Sequence, residues 1–275
     1  MNAVPPYFDY LIEAFRRGQA GRHVHLGHWD PPLAPEAEPS PREFEQAQER
    51  LAQTLLAMAA LGNGQGVLDA GCGFGGTLDL VNGRHAGMEL VGVNVDPRQL
   101  DLCRRIGPAN GNRLRWELAD ACGTPLPAAS FDRVLCIEAM FHFRSRRAFF
   151  AEAARLLKPG GILVASDIAM DATRLPAGTP RFAVEAAVRD GFGPWPDFWG
   201  AEGGHEALAR AAGLVPAGWR DATANTLRSH RFTVPSSLDE GRDPGEPAGR
   251  AALALRWLHR AGPLRYLYMR FDKPA

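Results

Sequence analysis

Apolar positions along this chain switch between two periods, and each switch marks an element. Phe44, Ala47, Leu51, Leu55 and Met58 recur every three or four residues, the spacing of one helix face. Ser40 ahead of Pro41 and Glu43 gives that helix an N-cap, a first-turn proline and a capping box, and the pattern ends near Leu61-Gly62. Tyr7, Phe8, Tyr10, Leu11 and Phe15 sit at helical spacing before Gly18, and a proline-rich linker over residues 31–41 separates the two helices. Downstream the period changes. Residues 67–70, 90–95, 114–119, 133–137 and 162–166 read as short strands, with helices expected at about 97–106 and 146–157 between them. A helix over 201–212, a strand over 214–223, a charged Gly/Pro-rich loop over 238–250, a helix over 251–261 and a strand over 266–271 complete the chain. Alternating strands and helices predict an α/β fold with a mainly parallel sheet.

The first strand runs into the most informative stretch, Asp69-Ala70-Gly71-Cys72-Gly73-Phe74-Gly75-Gly76-Thr77, where a helix opens. Glycines there allow φ > 0 and let a ligand lie against the main chain, while the helix start offers unpaired N–H groups. Four glycines and one acid in eight residues are costly in chain entropy unless something docks on them. Two cofactors use such a turn. Gly71-x-Gly73-x-x-Gly76 fits the dinucleotide fingerprint, with Asp96 placed as a ribose partner. The longer string Asp69-x-Gly71-x-Gly73-x-Gly75 resembles the first motif of class I S-adenosylmethionine (SAM) methyltransferases. A dehydrogenase would need a second substrate domain, for which the chain shows no pattern.

Later segments resemble the same methyltransferase family in the same order. Strand two ends in Asn94-Val95-Asp96 with Gln99 beyond, similar to a variant in which Asn and Gln meet the cofactor. Asp120-Ala121 resembles the pair at the adenine. Pro125-Leu126-Pro127 leading to Ser130-Phe131-Asp132 resembles the approach to strand four, and Leu157-Lys158-Pro159-Gly160-Gly161 resembles the turn into strand five. The resemblance implies a doubly wound, Rossmann-like, seven-stranded and mostly parallel sheet with an antiparallel last strand at its edge. It implies SAM as cofactor, held by Asp69, Gly71, Cys72, Gly73, Gly75, Asn94, Val95, Gln99, Asp120, Ala121 and Glu138. Residues 1–62 are expected to form an N-terminal cap and helix, and 63–275 the core, with a lid inserted at about 171–200.

Composition narrows the partners. The chain has 275 residues, 45% of them hydrophobic and 23% charged, with zero formal net charge. Nothing in that balance points to nucleic acid, no apolar run approaches a membrane span, and no signal-peptide core is apparent at the start. Cys72, Cys103, Cys122 and Cys136 lack paired or metal-like spacing and read as reduced thiols of a cytoplasmic protein. His23, His25 and His28 alternate with Val24 and Leu26 and have no acid or cysteine cluster nearby in sequence, so no metal is expected. Leu26-Gly27-His28-Trp29 resembles a cap element of small-molecule methyltransferases.

The chemistry implied is methyl transfer to a small-molecule acceptor, for which a base is needed if the nucleophile carries a proton. His142, following strand four at the carboxyl edge of the sheet, is the candidate base, and Asp167, expected to end strand five, its orienting partner. Glu138 is a further catalytic candidate: Glu138-Ala139-x-x-His142 resembles a segment of sterol and prenyl C-methyltransferases, in which acids steady a carbocation. Tyr7, Tyr10, His28, Trp29, Phe141, Trp195 and Trp199 are the expected acceptor contacts, since pockets are lined by aromatics. O-methylation of a natural-product hydroxyl is the first reading. C-methylation and a non-catalytic SAM-binding subunit are the alternatives, and a homo-oligomer remains open.

Overall fold

The computed structural model describes residues 4–5, 7–34, 37–200, 204–233 and 246–275. Seven strands form one sheet: β1 (Gly66–Ala70), β2 (Glu89–Asn94), β3 (Arg113–Leu118), β4 (Phe131–Ile137), β5 (Leu157–Met170), β6 (Val215–Asp221) and β7 (Leu264–Asp272). Their order is β3-β2-β1-β4-β5-β7-β6. The pairs from β3 to β5 are parallel, and β7 runs antiparallel to both β5 and β6. The α/β architecture is the one expected, with one difference: β7 lies inside the sheet and β6 holds the edge.

Helices cover both faces. α2 (Pro41–Ala59) carries the expected capping box, with the Ser40 Oγ accepting from the Glu43 N–H and the Glu43 carboxylate accepting from the Ser40 N–H. It joins α3 (Gly76–Arg84) and the C-terminal helix (Pro247–Ala261) on the face where Val67, Leu135, Val164 and Tyr266 are buried. That last helix starts inside the stretch read as a loop, most of which lies outside the described residues. α5 (Arg146–Leu156) and α7 (Gly204–Ala211) cover the other face over Leu68, Val134, Leu163 and Leu267, and α6 (Arg181–Phe192) lies between those two in the chain. β1 is buried along its whole length, as expected of a central parallel strand. α4 (Pro97–Cys103), started by the Asp96 side chain accepting from the Arg98 N–H, packs beside β3. α1 (Tyr7–Arg16) lies over the glycine turn, with Ile12 buried against Phe74 and Leu102.

Strand five is longer than its apolar run. The ladder with β7 continues to Met170 after parallel pairing with β4 stops at Ser166, so Asp167 lies within the strand, opposite Leu267. Its neighbours Ser166 and Ile168 point to the face of Tyr266. Asp167 points the other way, where its Oδ2 accepts from Arg146 Nε at 2.7 Å and pairs with His205 Nε2 at 2.8 Å. It is not hydrogen-bonded to His142, so the expected His142–Asp167 pairing is not formed. Burial alone would raise the Asp167 pKa, but the Arg146 guanidinium and the His205 bond reverse that and hold the carboxyl below its usual range.

This triad joins α5, β5 and α7, and it generates a stability prediction. Removing one partner of a buried ion pair leaves a charge uncompensated, at a cost of about 3–5 kcal/mol. Asp167→Ala should lower the unfolding free energy by that order, read from an equilibrium urea titration. A carboxyl held low in the folded state stabilises above its unfolded pKa and loses that contribution as pH falls through the folded value. The deficit of the variant should therefore be present at neutral pH and shrink below about pH 4.

Candidate active site

The backbone turns off β1 through left-handed geometry, with φ of 83° at Gly71 and 53° at Gly73. A Cβ on Gly71 would stand 2.5 Å from the Ala139 Cβ, and one on Gly73 would stand 2.8 Å from Val24 Cγ2. Both conformation and space therefore call for glycine. The turn opens a cavity at the carboxyl ends of β1, β2 and β4. Asp69, Gly71, Cys72, Gly73, Asn94, Val95, Gln99, Asp120, Ala121 and Glu138 all line it. Gly75 does not: it is the N-cap of α3 and backs onto Ile106 and Trp116.

Each polar wall group is positioned by its element. Asn94, the last residue of β2, donates to Gln99 Oε1 at 3.0 Å and accepts from the Asp96 N–H. Asp96 itself is buried, occupied with capping α4 and pairing with Arg98 at 2.8 Å, and it does not line the cavity. The acid required by the dinucleotide fingerprint is thus committed elsewhere. Asp120 accepts from the Cys122 N–H at 2.8 Å and from Arg144 Nε at 2.9 Å. Burial pushes the Asp69 carboxyl up to about 7.

Glu138 ends β4 at φ 50°, a left-handed backbone that costs a non-glycine residue about 1–3 kcal/mol and persists only when the surroundings over-determine it. Here they do. Its N–H donates to the Ser166 carbonyl at 3.1 Å and to Ser166 Oγ at 3.0 Å. Its carboxylate accepts from the Leu26 N–H at 2.9 Å and from the Tyr266 hydroxyl. Burial raises the carboxyl to about 7 against the opposing effect of those two bonds.

His142 follows in a short helical turn, Met140–His142, and its Nε2 lies 2.7 Å from the Tyr7 hydroxyl of α1. Both side chains line the cavity. Burial lowers the His142 pKa to about 3, so the imidazole is neutral. Burial and then the Glu138 charge raise the Tyr7 phenol above its usual range, so it keeps its proton and donates to Nε2. Phe141 stacks on Trp195 at 4.2 Å and 23°, and Phe192 meets Tyr7 edge-on at 4.8 Å. The N-terminal segment and residues 192–195 therefore meet at His142.

The other expected acceptor contacts lie elsewhere. Tyr10 is 67% exposed on the outer side of α1. His28 is buried with its Nδ1 3.0 Å from the Tyr268 hydroxyl, and Trp29 Nε1 donates to Ser229 Oγ. Trp199 packs on Phe198 with Arg181 over its ring. Phe141 and Trp195 are buried behind His142. Sequence reasoning missed Phe8, Leu11, Arg22, His23, Val24, His25, Phe143 and Pro194, which do line the cavity. The backbone of residues 23–28 is fixed on α2, where Gln48 Nε2 donates to the His23 and His25 carbonyls at 2.8 and 2.7 Å. The Leu26-Gly27-His28-Trp29 motif thus marks an anchoring element, and the residues just before it face the cavity.

A family profile described as methyltransferase domain matches residues 68–165, which contain the glycine turn, Asp120, Glu138 and His142. Residues 68–165 thus form a methyltransferase domain. The chain is 36% identical over 174 residues to methyltransferase GfsG of Streptomyces halstedii, covering 62% of this chain and 59% of that protein. It is 30% identical over 167 residues to erythromycin 3''-O-methyltransferase of Saccharopolyspora erythraea, covering 59% and 52%. The matches thus span between half and two thirds of these curated relatives. A mycolic acid cyclopropane synthase superposes with a TM-score of 0.76 at 18% identity, covering 98% of this chain and 99% of that one. Geranyl diphosphate C-methyltransferase from Streptomyces coelicolor A3(2) superposes at 0.70 and 18%, covering 98% and 100%. These two likenesses concern the fold.

SAM is the cofactor of such a domain, and the residues present fit it: Gly71, Cys72 and Gly73 line the cavity beside Asn94, Gln99 and Asp120. Calorimetry should show binding of S-adenosylhomocysteine and SAM, and no heat with NAD. Gly73→Val should abolish that binding, because a branched side chain at φ 53° is strained and collides with Val24 and the ligand. Tight binding of NAD with silence for both sulfur nucleosides would contradict the assignment.

Proposed function

We propose that this chain methylates a hydroxyl group of a small natural-product-like acceptor, with His142 as general base and Tyr7 as its hydrogen-bond partner. One observation carries the reading: a neutral imidazole, 2.7 Å from a phenol, inside the cavity formed by the glycine turn. The relatives named O-methyltransferases support the acceptor class, among them the erythromycin enzyme and, at 32% identity, 27-O-demethylrifamycin SV methyltransferase of Amycolatopsis mediterranei. In this reading residues 1–62 are a cap, and residues 171–200 an insertion that shuts the acceptor side.

Bound SAM supplies a methyl group on a sulfonium, displaced in line by the nucleophile. The residues of the chain do the remaining work. Holding two reactants in line and out of water accounts for much of the acceleration available to such a site. Tyr7, Phe8, Leu11, Phe143 and Pro194 give the cavity apolar walls on which an acceptor can be oriented. A hydroxyl is a poor nucleophile until its proton leaves, and His142 Nε2 receives that proton once the acceptor hydroxyl has displaced the Tyr7 hydroxyl, which occupies the lone pair in the free protein. Because His142 is neutral until about pH 3, its lone pair is always present in the working range. The same desolvation makes it a weak base at equilibrium, so the proton moves as the new carbon–oxygen bond forms, not ahead of it. Tyr7 holds the ring in register before the acceptor arrives and solvates the receiving edge.

A second reading is favoured by Glu138, a buried carboxyl on the cavity wall in strained backbone. An acid so placed steadies a developing carbocation and would suit C-methylation of an alkene. Its bonds to the Leu26 N–H and Tyr266 support instead a role in fixing the wall.

Transfer of labelled methyl from SAM to a panel of hydroxylated macrocyclic and aromatic compounds separates the readings. His142→Ala should lower kcat by about two to four decades, the usual worth of general base help, with S-adenosylhomocysteine affinity near that of the unaltered protein. Tyr7→Phe should lower kcat less, since it removes orientation and keeps the base. Near-full turnover in His142→Ala, with loss in Glu138→Gln and label on carbon, would replace the base reading with the carbocation reading.

A further inference from the structure

His23 and His25 reach the cavity from the N-terminal segment, and the chemistry proposed above does not use them. Their tautomers follow from their partners. His25 Nδ1 lies 2.8 Å from the Leu26 carbonyl oxygen, so it carries the proton and donates. His25 Nε2 is then an acceptor, and it receives the proton on His23 Nδ1 at 3.2 Å. This chain of bonds leaves His23 Nε2 as a lone pair.

The same ring sits at the start of α3. A Cβ on Gly76, the first residue of that helix, would stand 2.8 Å from His23 Nδ1 and 3.0 Å from the Arg22 carbonyl. α3 has no side-chain cap, so its first-turn N–H groups are left for another partner. Arg22 is pinned close by, donating to the Phe74 carbonyl at 3.0 Å and facing Asp79 at 3.7 Å. Helix start, imidazole pair and cavity wall converge on one small region, and the chemistry that suits all three is a carboxylate.

We propose that His23, held in place by His25, binds the carboxylate of the cofactor's amino-acid part, and that the pair takes up one proton as that carboxylate binds. The proposal rests on the SAM reading of the cavity. Before binding, burial keeps His23 down to about 4 and His25 down to about 3, so both rings are neutral. An anion against His23 favours the charged form and raises its pKa. The proton enters at His23 Nε2, and the bond from His23 Nδ1 to His25 survives the change. The charged and titratable groups around the pair are Arg22 with Asp79 on α3, Glu45 of α2 beside Gly21, and Asp69 and Glu138 on the cavity wall. Arg22 and Asp79 offset one another, which leaves the histidines as the source of new positive charge.

The sign follows from linkage. If the complex binds one more proton than the free partners, affinity falls as pH rises, by up to about tenfold per unit between the free and bound pKa values. Titration calorimetry of the whole protein with S-adenosylhomocysteine, in phosphate and in Tris between pH 5 and 8, reads the protons directly. The expected result is an uptake that approaches one proton at the acid end of this range. 5′-Methylthioadenosine, which has the nucleoside and sulfur but no amino-acid part, should bind without it. His23→Asn and His25→Asn should weaken S-adenosylhomocysteine by about tenfold or more at pH 6 and erase the uptake, with methylthioadenosine affinity barely moved. Binding of S-adenosylhomocysteine with no proton uptake anywhere in the range overturns the proposal, as does uptake that survives in both variants. Failure of the folded protein to bind either nucleoside overturns the cofactor reading itself. Should a variant not fold, the contrast between S-adenosylhomocysteine and 5′-methylthioadenosine on the unaltered protein still separates uptake at the amino-acid part from titration of Asp69 and Glu138, which line the same cavity.

Discussion

The site depends on how the chain leaves β1. That strand is buried along its length in the middle of the sheet, so a polar ligand can meet it only beyond its carboxyl end. The backbone has a few residues in which to stop the strand, expose N–H groups and begin α3. Left-handed geometry at Gly71 and Gly73 accomplishes this. The same turn sends Phe74 inward, fully buried, where Ile12 packs on it and Phe15 lies at a ring distance of 5.2 Å. One turn therefore makes the cavity floor and anchors the helix that covers it. A substitution that straightens the turn removes the floor and the seat of α1 together.

A second constraint sits across the cavity at Glu138. Its left-handed backbone is held by bonds from Ser166 of β5, Leu26 of the N-terminal segment and Tyr266 of β7. Three parts of the chain far apart in sequence thereby fix where β4 ends, and His142 is placed four residues later. Burial in the resulting chamber shifts several of its titratable groups toward their neutral forms. Burial raises the carboxyls of Asp69 and Glu138 to about 7 and lowers His23, His25 and His142 to about 4, 3 and 3. Buried groups in their neutral forms cost little to keep there and respond strongly to an incoming charge. A sulfonium with a carboxylate tail is an incoming charge of that kind.

Much of this was legible in the sequence because the determinants are local. The capping box of α2 needs only Ser40 and Glu43, and the glycine turn needs only nine consecutive residues. The apolar runs of β1, β2 and β4 report burial on both faces without knowledge of their neighbours. The misreadings share one cause, which is pairing at long range. Asp167 looks like a strand end because the apolar run stops at Ser166, whereas the antiparallel ladder with β7, a hundred residues on, carries β5 to Met170. Its partner His205 lies 38 residues away on another helix. Aromatic content marked the right segments but not the right residues: α1 turns Tyr7 inward and leaves Tyr10 exposed, and two aromatics three residues apart on a helix give no sign of which one faces a cavity. The lone His-x-His alternation at residues 23–25 was the available signal for the second cavity wall, and it was legible only as the absence of a metal pattern.

The central claim is that one cavity holds the cofactor at the glycine turn and presents its reactive sulfur to the Tyr7–His142 pair. A crystal structure of the protein with S-adenosylhomocysteine tests this most directly. The account predicts the adenine beside Asp120 and Ala121, the amino-acid part against Gly73 and His23, and the sulfur facing the His142 ring across the space bounded by Tyr7 and Phe8. A ligand seated away from the glycine turn, or one whose sulfur is walled off from His142 by protein, would contradict it.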